Sequence, residues 1–183
     1  MVNFEELRQM VQGALLAPEA TWAKAKAEGR TASQMAQQLT IPLVLMAAVV
    51  SLVLGLVFSK YQSFSMLLGQ AATMAIFGIL GAFLVAFLAD YLAGFFGGVR
   101  DYNAAFNAAA LSGVPSAIGA AVLPVPVVGG LASLALGLYG LYLLYGALPV
   151  FLTIPADKRV VHYLATLGSG IAIGMIVGSI FRI

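Results

Sequence analysis

The chain of 183 residues is 62% hydrophobic and 9% charged, with a mean hydropathy of +1.01; soluble domains run at roughly 45–50% apolar and about 25% charged, so it reads as a polytopic membrane protein. It has no cysteine, which excludes disulfides, thiolate metal sites and cysteine nucleophiles. Its net charge of +2 does not point to nucleic acid, because the lysines and arginines flank apolar stretches instead of forming a basic patch beside aromatics.

Half of the charged residues fall between Glu5 and Arg30. That divides the chain into cytoplasmic interfacial amphipathic helices over 1–31 and a membrane domain over 32–183. Acidic Glu5 and Glu6 stand where a signal peptide carries basic residues, so the later spans are expected to act as insertion signals. From Asn3 to Ala17, Phe4, Leu7, Val11, Ala14 and Leu15 recur at helical spacing, which predicts an amphipathic helix. Asn3 can cap it, with Glu6 in the reciprocal capping-box position. Pro18 opens a second helix through Glu28, and Gly29 stops it. Trp22 beside Lys24 and Lys26 suits a cytoplasmic membrane interface. An anchor lying on the bilayer is the favoured reading of the pair, and a docking surface for a soluble partner the alternative.

Five apolar segments follow, each near the roughly 20 residues that a helical crossing needs. The first runs from about Ile41 to Phe58, with helix-prone residues upstream and Pro42 near its start. The second begins near Phe64 and reaches Arg100, longer than one perpendicular span requires, so it must tilt, bend near Gly94 or leave its end at the interface. The third, about Tyr102 to Leu123, contains Pro115 and ends in the charge-free, breaker-rich turn LPVPVVGG. The fourth starts near Val127 and the fifth covers about Val160 to Phe181. With the N-terminus in the cytoplasm, Arg8, Lys24, Lys26, Arg30, Arg100, Lys158 and Arg159 fall inside, and only Lys60 and Arg182 outside. Short-loop lysines and arginines favour the cytoplasm, so the expected topology is N-in and C-out.

Helices in lipid pack through small residues. Gly170, Gly174 and Gly178, extended by Thr166, form a stripe at spacing four on the fifth helix, which predicts either an internal packing partner or a homodimer seam. Asp90 stands alone as an acid inside an apolar run. An intramembrane carboxylate is a functional candidate by default, yet its position near the end of the second span also allows a pair with Arg100 or Lys158 among headgroups. His162 follows Lys158 and Arg159 by one turn, at the start of the fifth span, where an imidazole can sit at the interface; one histidine does not make a metal site. Tyr139, Tyr142 and Tyr145 suggest helix-to-helix hydrogen bonds or a polar pocket. No phosphate loop, HExxH pair or Gly-x-Ser-x-Gly elbow is present, so the sequence points to neither an enzyme nor a cofactor.

Four places carry a family resemblance: Ala17-Pro18 with Trp22, Gly97-Gly98 followed by Tyr102 and Phe106, Pro115, and LYGLYLLYGALPV from Leu138 to Val150. With them the chain resembles the Yip (Ypt/Rab-interacting protein) family of five-span membrane proteins, in its bacterial form. The resemblance implies an all-helical bundle, a cytoplasmic N-terminus and, for the bacterial branch, the cytoplasmic (inner) membrane. Eukaryotic relatives bind prenylated Rab GTPases and act in vesicle traffic. This chain has no Asp-Leu-Tyr-Gly-Pro match before the first span, so Rab binding is not carried over and the protein partner is unknown. The expected function is a non-enzymatic scaffold or adaptor that organises lipid or a protein partner. The alternative is a small ion- or proton-coupled transporter or channel using Asp90.

Overall fold

The computed structural model describes residues 3–59 and 61–181, without the side-chain surroundings of 177, 178, 180 and 181. Lys60 and Arg182, on which the charge asymmetry partly rests, lie outside the described residues, as do the surroundings of Gly178. The described residues are helical with no strand, and five helices are long and apolar enough to cross a membrane.

Two short helices precede the spans. α1 (Phe4–Leu16) is capped by the Asn3 side chain, which accepts from the Glu5 and Glu6 amides at 3.1 and 3.3 Å. The Glu6 carboxylate does not return the bond; it pairs with Arg30 at 2.7 Å. α2 (Pro18–Glu28) begins on proline, whose missing N–H has no helical partner to lose at that position. It ends at Gly29 in the left-handed conformation (φ 59°). The chain's reciprocal capping box lies instead at Thr31 and Gln34, starting α3 (Ala32–Met35).

The first span, Ala32–Phe58, consists of α3, a π turn (Ala36–Thr40) and α4 (Ile41–Phe58). Pro42 offers no N–H to the carbonyl four residues earlier, and its ring crowds that carbonyl. The wider turn directly before it, in which the Ile41 N–H bonds Ala36 O, accommodates both demands. α5 (Phe64–Ala93) continues through a 3-10 turn (Gly94–Phe96) and stops at Gly97, with φ of 76°, so the long second span ends by tightening near Gly94.

The third span divides at Gly113 into α6 (Tyr102–Ser112) and α7 (Val114–Val122), where Pro115 cannot continue the hydrogen-bond ladder. α6 packs against α5 and α8 (Val128–Leu152), whereas α7 packs against α4 and α8. The bend thus moves the span from one neighbour to another. α8 runs through Pro149 to Leu152 and ends at Thr153, a non-glycine residue in the left-handed region (φ 51°). α9 (Arg159–Phe181) packs mainly on α5 and less on α8. The third span is the most buried of the five.

α1 and α2 lie against the bundle. Of the apolar residues that lipid was expected to receive, Leu7, Ala14 and Trp22 are buried against the chain's own helices and Val11 and Leu15 partly so, while Phe4 is exposed. An amphipathic pattern states only that one face leaves water; here α6 and α8 offer that face a seat.

Candidate functional site

The end of the bundle that carries α1 and α2 holds nearly all of its polar chemistry. Arg30 is the centre of one cluster. Its side chain, 16% exposed, bonds Glu6 and Glu28 at 2.7 Å each and Gln38 Oε1 at 2.9 Å, joining both N-terminal helices to the π turn. Its carbonyl accepts from Asn107 Nδ2 at 2.8 Å, and Asn103 Oδ1 accepts from the Ala32 amide at 2.8 Å. Two asparagines four apart on α6 therefore satisfy the turn that joins α2 to the first span. The sequence reading missed Arg30, Asn103 and Asn107. The available signal was the pair of amides in YNAAFNAAA, since polar groups in an apolar span must find partners.

The same end receives α8. The Lys26 ammonium donates to Val150 O at 2.6 Å, placing a cation on the carbonyls at the C-terminal end of α8. Tyr139 donates to Leu15 O at 2.8 Å, a helix-to-helix bond. Tyr142 is exposed on the span's outer surface and stacks on Tyr139 at 6.2 Å, while Tyr145 meets Tyr163 edge-on at 5.3 Å. The three tyrosines line no common pocket.

Asp90 is buried, with Oδ2 3.3 Å from Arg100 Nη2, and Arg100 also lies over the Tyr91 ring at 5.5 Å. The arginine side chain is 57% exposed, so the pair contributes about 0–1 kcal/mol at most. His162, near the start of α9, is enclosed by protein. It is 1% exposed, its Nε2 lies 3.0 Å from Ala89 O, and Phe96 covers it edge-on. A carbonyl only accepts, so Nε2 carries the proton. Ala89 is fully buried, as are Ala86 and Ala93 on the same face of α5. No group of three metal-ligating side chains occurs among the described residues.

Beside this cluster the loop after α5 locks onto the end of α8. The Val99 amide donates to Leu152 O at 2.9 Å, and the Gly98 amide to Ala93 O at 2.9 Å. A Cβ on Gly98 would stand 2.8 Å from Leu152 O and closer still to Ile154 Cδ1, so the loop reaches this seat only with glycine there.

Residues 13–179 match the Yip1 domain. The chain belongs to the Yip1 domain family. No curated protein and no solved structure matches it. In this Yip1 domain three of the stretches that carried the resemblance converge on the fourth, which lies in α8. Trp22 lies over Gly146, where an added Cβ would come within 2.8 Å of the ring. Ser116, next to Pro115, lies over Gly140 at 2.6 Å from such a Cβ. Gly98 rests against Leu152 and Ile154, just past the tyrosine stretch.

The glycine stripe on α9 has little intrachain contact. Gly170 faces only Leu88 Cδ1, at 3.8 Å from an added Cβ, and nothing lies within 4 Å at Gly174. Thr166, in contrast, is buried and bonds His162 O at 2.9 Å.

A cavity of about 300 Å³ opens where the third span bends. Its walls include Val44 and Ala47 of α4, Gly81 and Ala82 of α5, and Ala117 and Ala120 of α7, and it is lined by no ionisable side chain.

Proposed function

We propose that this Yip1-domain protein is a non-enzymatic scaffold of the cytoplasmic membrane, N-in and C-out. Its N-terminal helices and the two loops beside them form a rigid surface that organises lipid or a partner protein. The observation that supports scaffolding over transport is the separation of charge from cavity. A proton- or ion-coupled carrier sets ionisable groups along its path; the cavity here is lined by apolar and hydroxyl side chains, and Asp90 pairs with Arg100 beside the loop. The polar groups at the cap bind the chain's own segments together, which suits a fixed docking face better than a moving gate.

The test is reconstitution into liposomes with proton and monovalent-cation gradients. No flux above protein-free vesicles is expected, for wild type or for Asp90→Asn. A flux that Asp90→Asn abolishes at unchanged thermal stability overturns the scaffold in favour of a transporter. Orientation is tested separately: single cysteines at Ser59 or Val125 should react with an impermeant maleimide from outside, and one at Ala156 should not.

A further inference from the structure

The bend in the third span gives the cavity a mouth at a particular depth. Gly78, Gly113, Ser116 and Leu141 on its rim are exposed. Each lies near the middle of its span, so the mouth faces hydrocarbon and not water. A cavity of about 150 Å³ holds benzene; one of about 300 Å³ has room for about a dozen carbons by the same measure. That suits a single alkyl chain and is too little for another helix.

Three hydroxyls interrupt the apolar wall: Ser112 bonds back to Ala108 O at 2.7 Å and Ser116 stands on the exposed rim, which leaves Thr40 as the buried one without a partner among the described residues. Thr40 lines the cavity, is 6% exposed, and its hydroxyl oxygen has no hydrogen-bond partner in the protein. Threonine in a helix ordinarily bonds back to a carbonyl three or four residues earlier. Here the carbonyl four back, Ala36 O, receives the Ile41 N–H of the π turn. The depth of Thr40 is also informative. The 18 residues of α4 beyond it rise about 27 Å at ~1.5 Å each, close to a hydrocarbon core of about 30 Å. Thr40 therefore lies where hydrocarbon gives way to the glycerol esters of lipid.

We infer that the cavity takes one acyl chain of a bilayer phospholipid, whose ester carbonyl accepts a hydrogen bond from the Thr40 hydroxyl. Threonine has two accessible helical rotamers, so hydroxyl and methyl can exchange places without moving the backbone. The inference deepens the scaffold reading by naming a lipid that the bundle holds and the atoms that hold it.

The experiment uses full-length protein in vesicles of equal parts phosphatidylethanolamine and phosphatidylglycerol, doped with a phospholipid carrying a diazirine in the middle of one acyl chain, ester-linked or ether-linked. Photolabelling with the ester-linked probe should concentrate on 78–85 and 116–120. Gly81→Leu, which adds a side chain where a Cβ has open space, should reduce that labelling about tenfold or more, as overpacking of a filled site predicts. Thr40→Val with the ester probe, and wild type with the ether probe, should each fall by roughly two- to tenfold, the range one neutral hydrogen bond supports. Labelling spread evenly over the outer faces of α4 and α8, unchanged in Gly81→Leu, overturns the site. Equal labelling by ester and ether probes overturns the role of Thr40, and cross-links joining two protein chains through 78–85 assign the cavity to a second copy instead. None of these readouts depends on flux, so failure here leaves the scaffold test standing, and the reverse.

Discussion

Gly98→Ala should be among the most damaging single-methyl changes in the protein. The added Cβ falls 2.8 Å from Leu152 O and into Ile154 Cδ1. The isoleucine tip can swing aside, but the backbone carbonyl cannot without lengthening the Val99 N–H···O=C Leu152 bond of 2.9 Å. Overpacking costs about 1–3 kcal/mol and the weakened hydrogen bond about 0.5–1.5 kcal/mol, together about 1.5–4.5 kcal/mol. Gly97→Ala is the matched control. Its Cβ makes only ordinary contact with Pro155, 3.5 Å away, and its cost is that of holding alanine at φ 76°, about 1–2 kcal/mol. The chain's one tryptophan, Trp22, packs against Gly146, so its fluorescence during thermal or denaturant unfolding in detergent reports on the cap without an added label. The midpoint for Gly98→Ala should fall about twice as far as that for Gly97→Ala. An unchanged midpoint, or a larger loss in Gly97→Ala, refutes the claim that close approach and not backbone conformation sets the requirement at Gly98.

Arg30→Met removes the bonds to Glu6 and Glu28 and should cost about 1.5–3 kcal/mol, the range for bonds to charged groups; trypsin cleavage at Lys24 and Lys26 should accelerate while the spans stay protected. Tyr139→Phe deletes only the bond to Leu15 O and should cost about 0.5–1.5 kcal/mol, seen as faster amide exchange in α1 with α8 unaffected. Gly174→Leu places its side chain where no atom of another helix lies within 4 Å of the Cβ among the described residues, so thermal stability of the monomer should not change. A smaller oligomer in size-exclusion chromatography would then assign the stripe to contact between copies, and a lowered monomer midpoint would show that a helix of the same chain covers it.

The spans were legible because their signal is length of apolar run, and lipid leaves the backbone no alternative to helix. The start of the fourth and both ends of the fifth came within a residue of α8 and α9. Pro115 announced a break in the third span, but its division into two helices with different neighbours depends on what α4 and α5 offer, which local sequence does not state. The π turn before Pro42 was hidden for the same reason. The charged neighbours of His162 said nothing of its enclosure, which depends on α5, where the carbonyl it bonds lies about seventy positions away in the chain. Asp90 was easier, since Arg100 lies only ten residues on. The cap was the least legible part: the apolar stripe of α1 reads the same whether lipid or protein receives it, and Arg30 looked like one more positive-inside residue.

The joint between Arg30 and Asn107 also has a consequence for how the protein is made. Synthesis delivers α1 and α2 first, but the amide that receives the Arg30 carbonyl lies 77 residues later and the carbonyl that receives Lys26 lies 124 later. Until the third and fourth spans have entered the bilayer, the first thirty residues have no complete seat, and their apolar faces must wait on the membrane surface or on a chaperone. The apolar pattern of α1 thus serves the growing chain as well as the closed bundle, in which Leu7 and Ala14 are buried while Phe4 and Leu16 stay exposed.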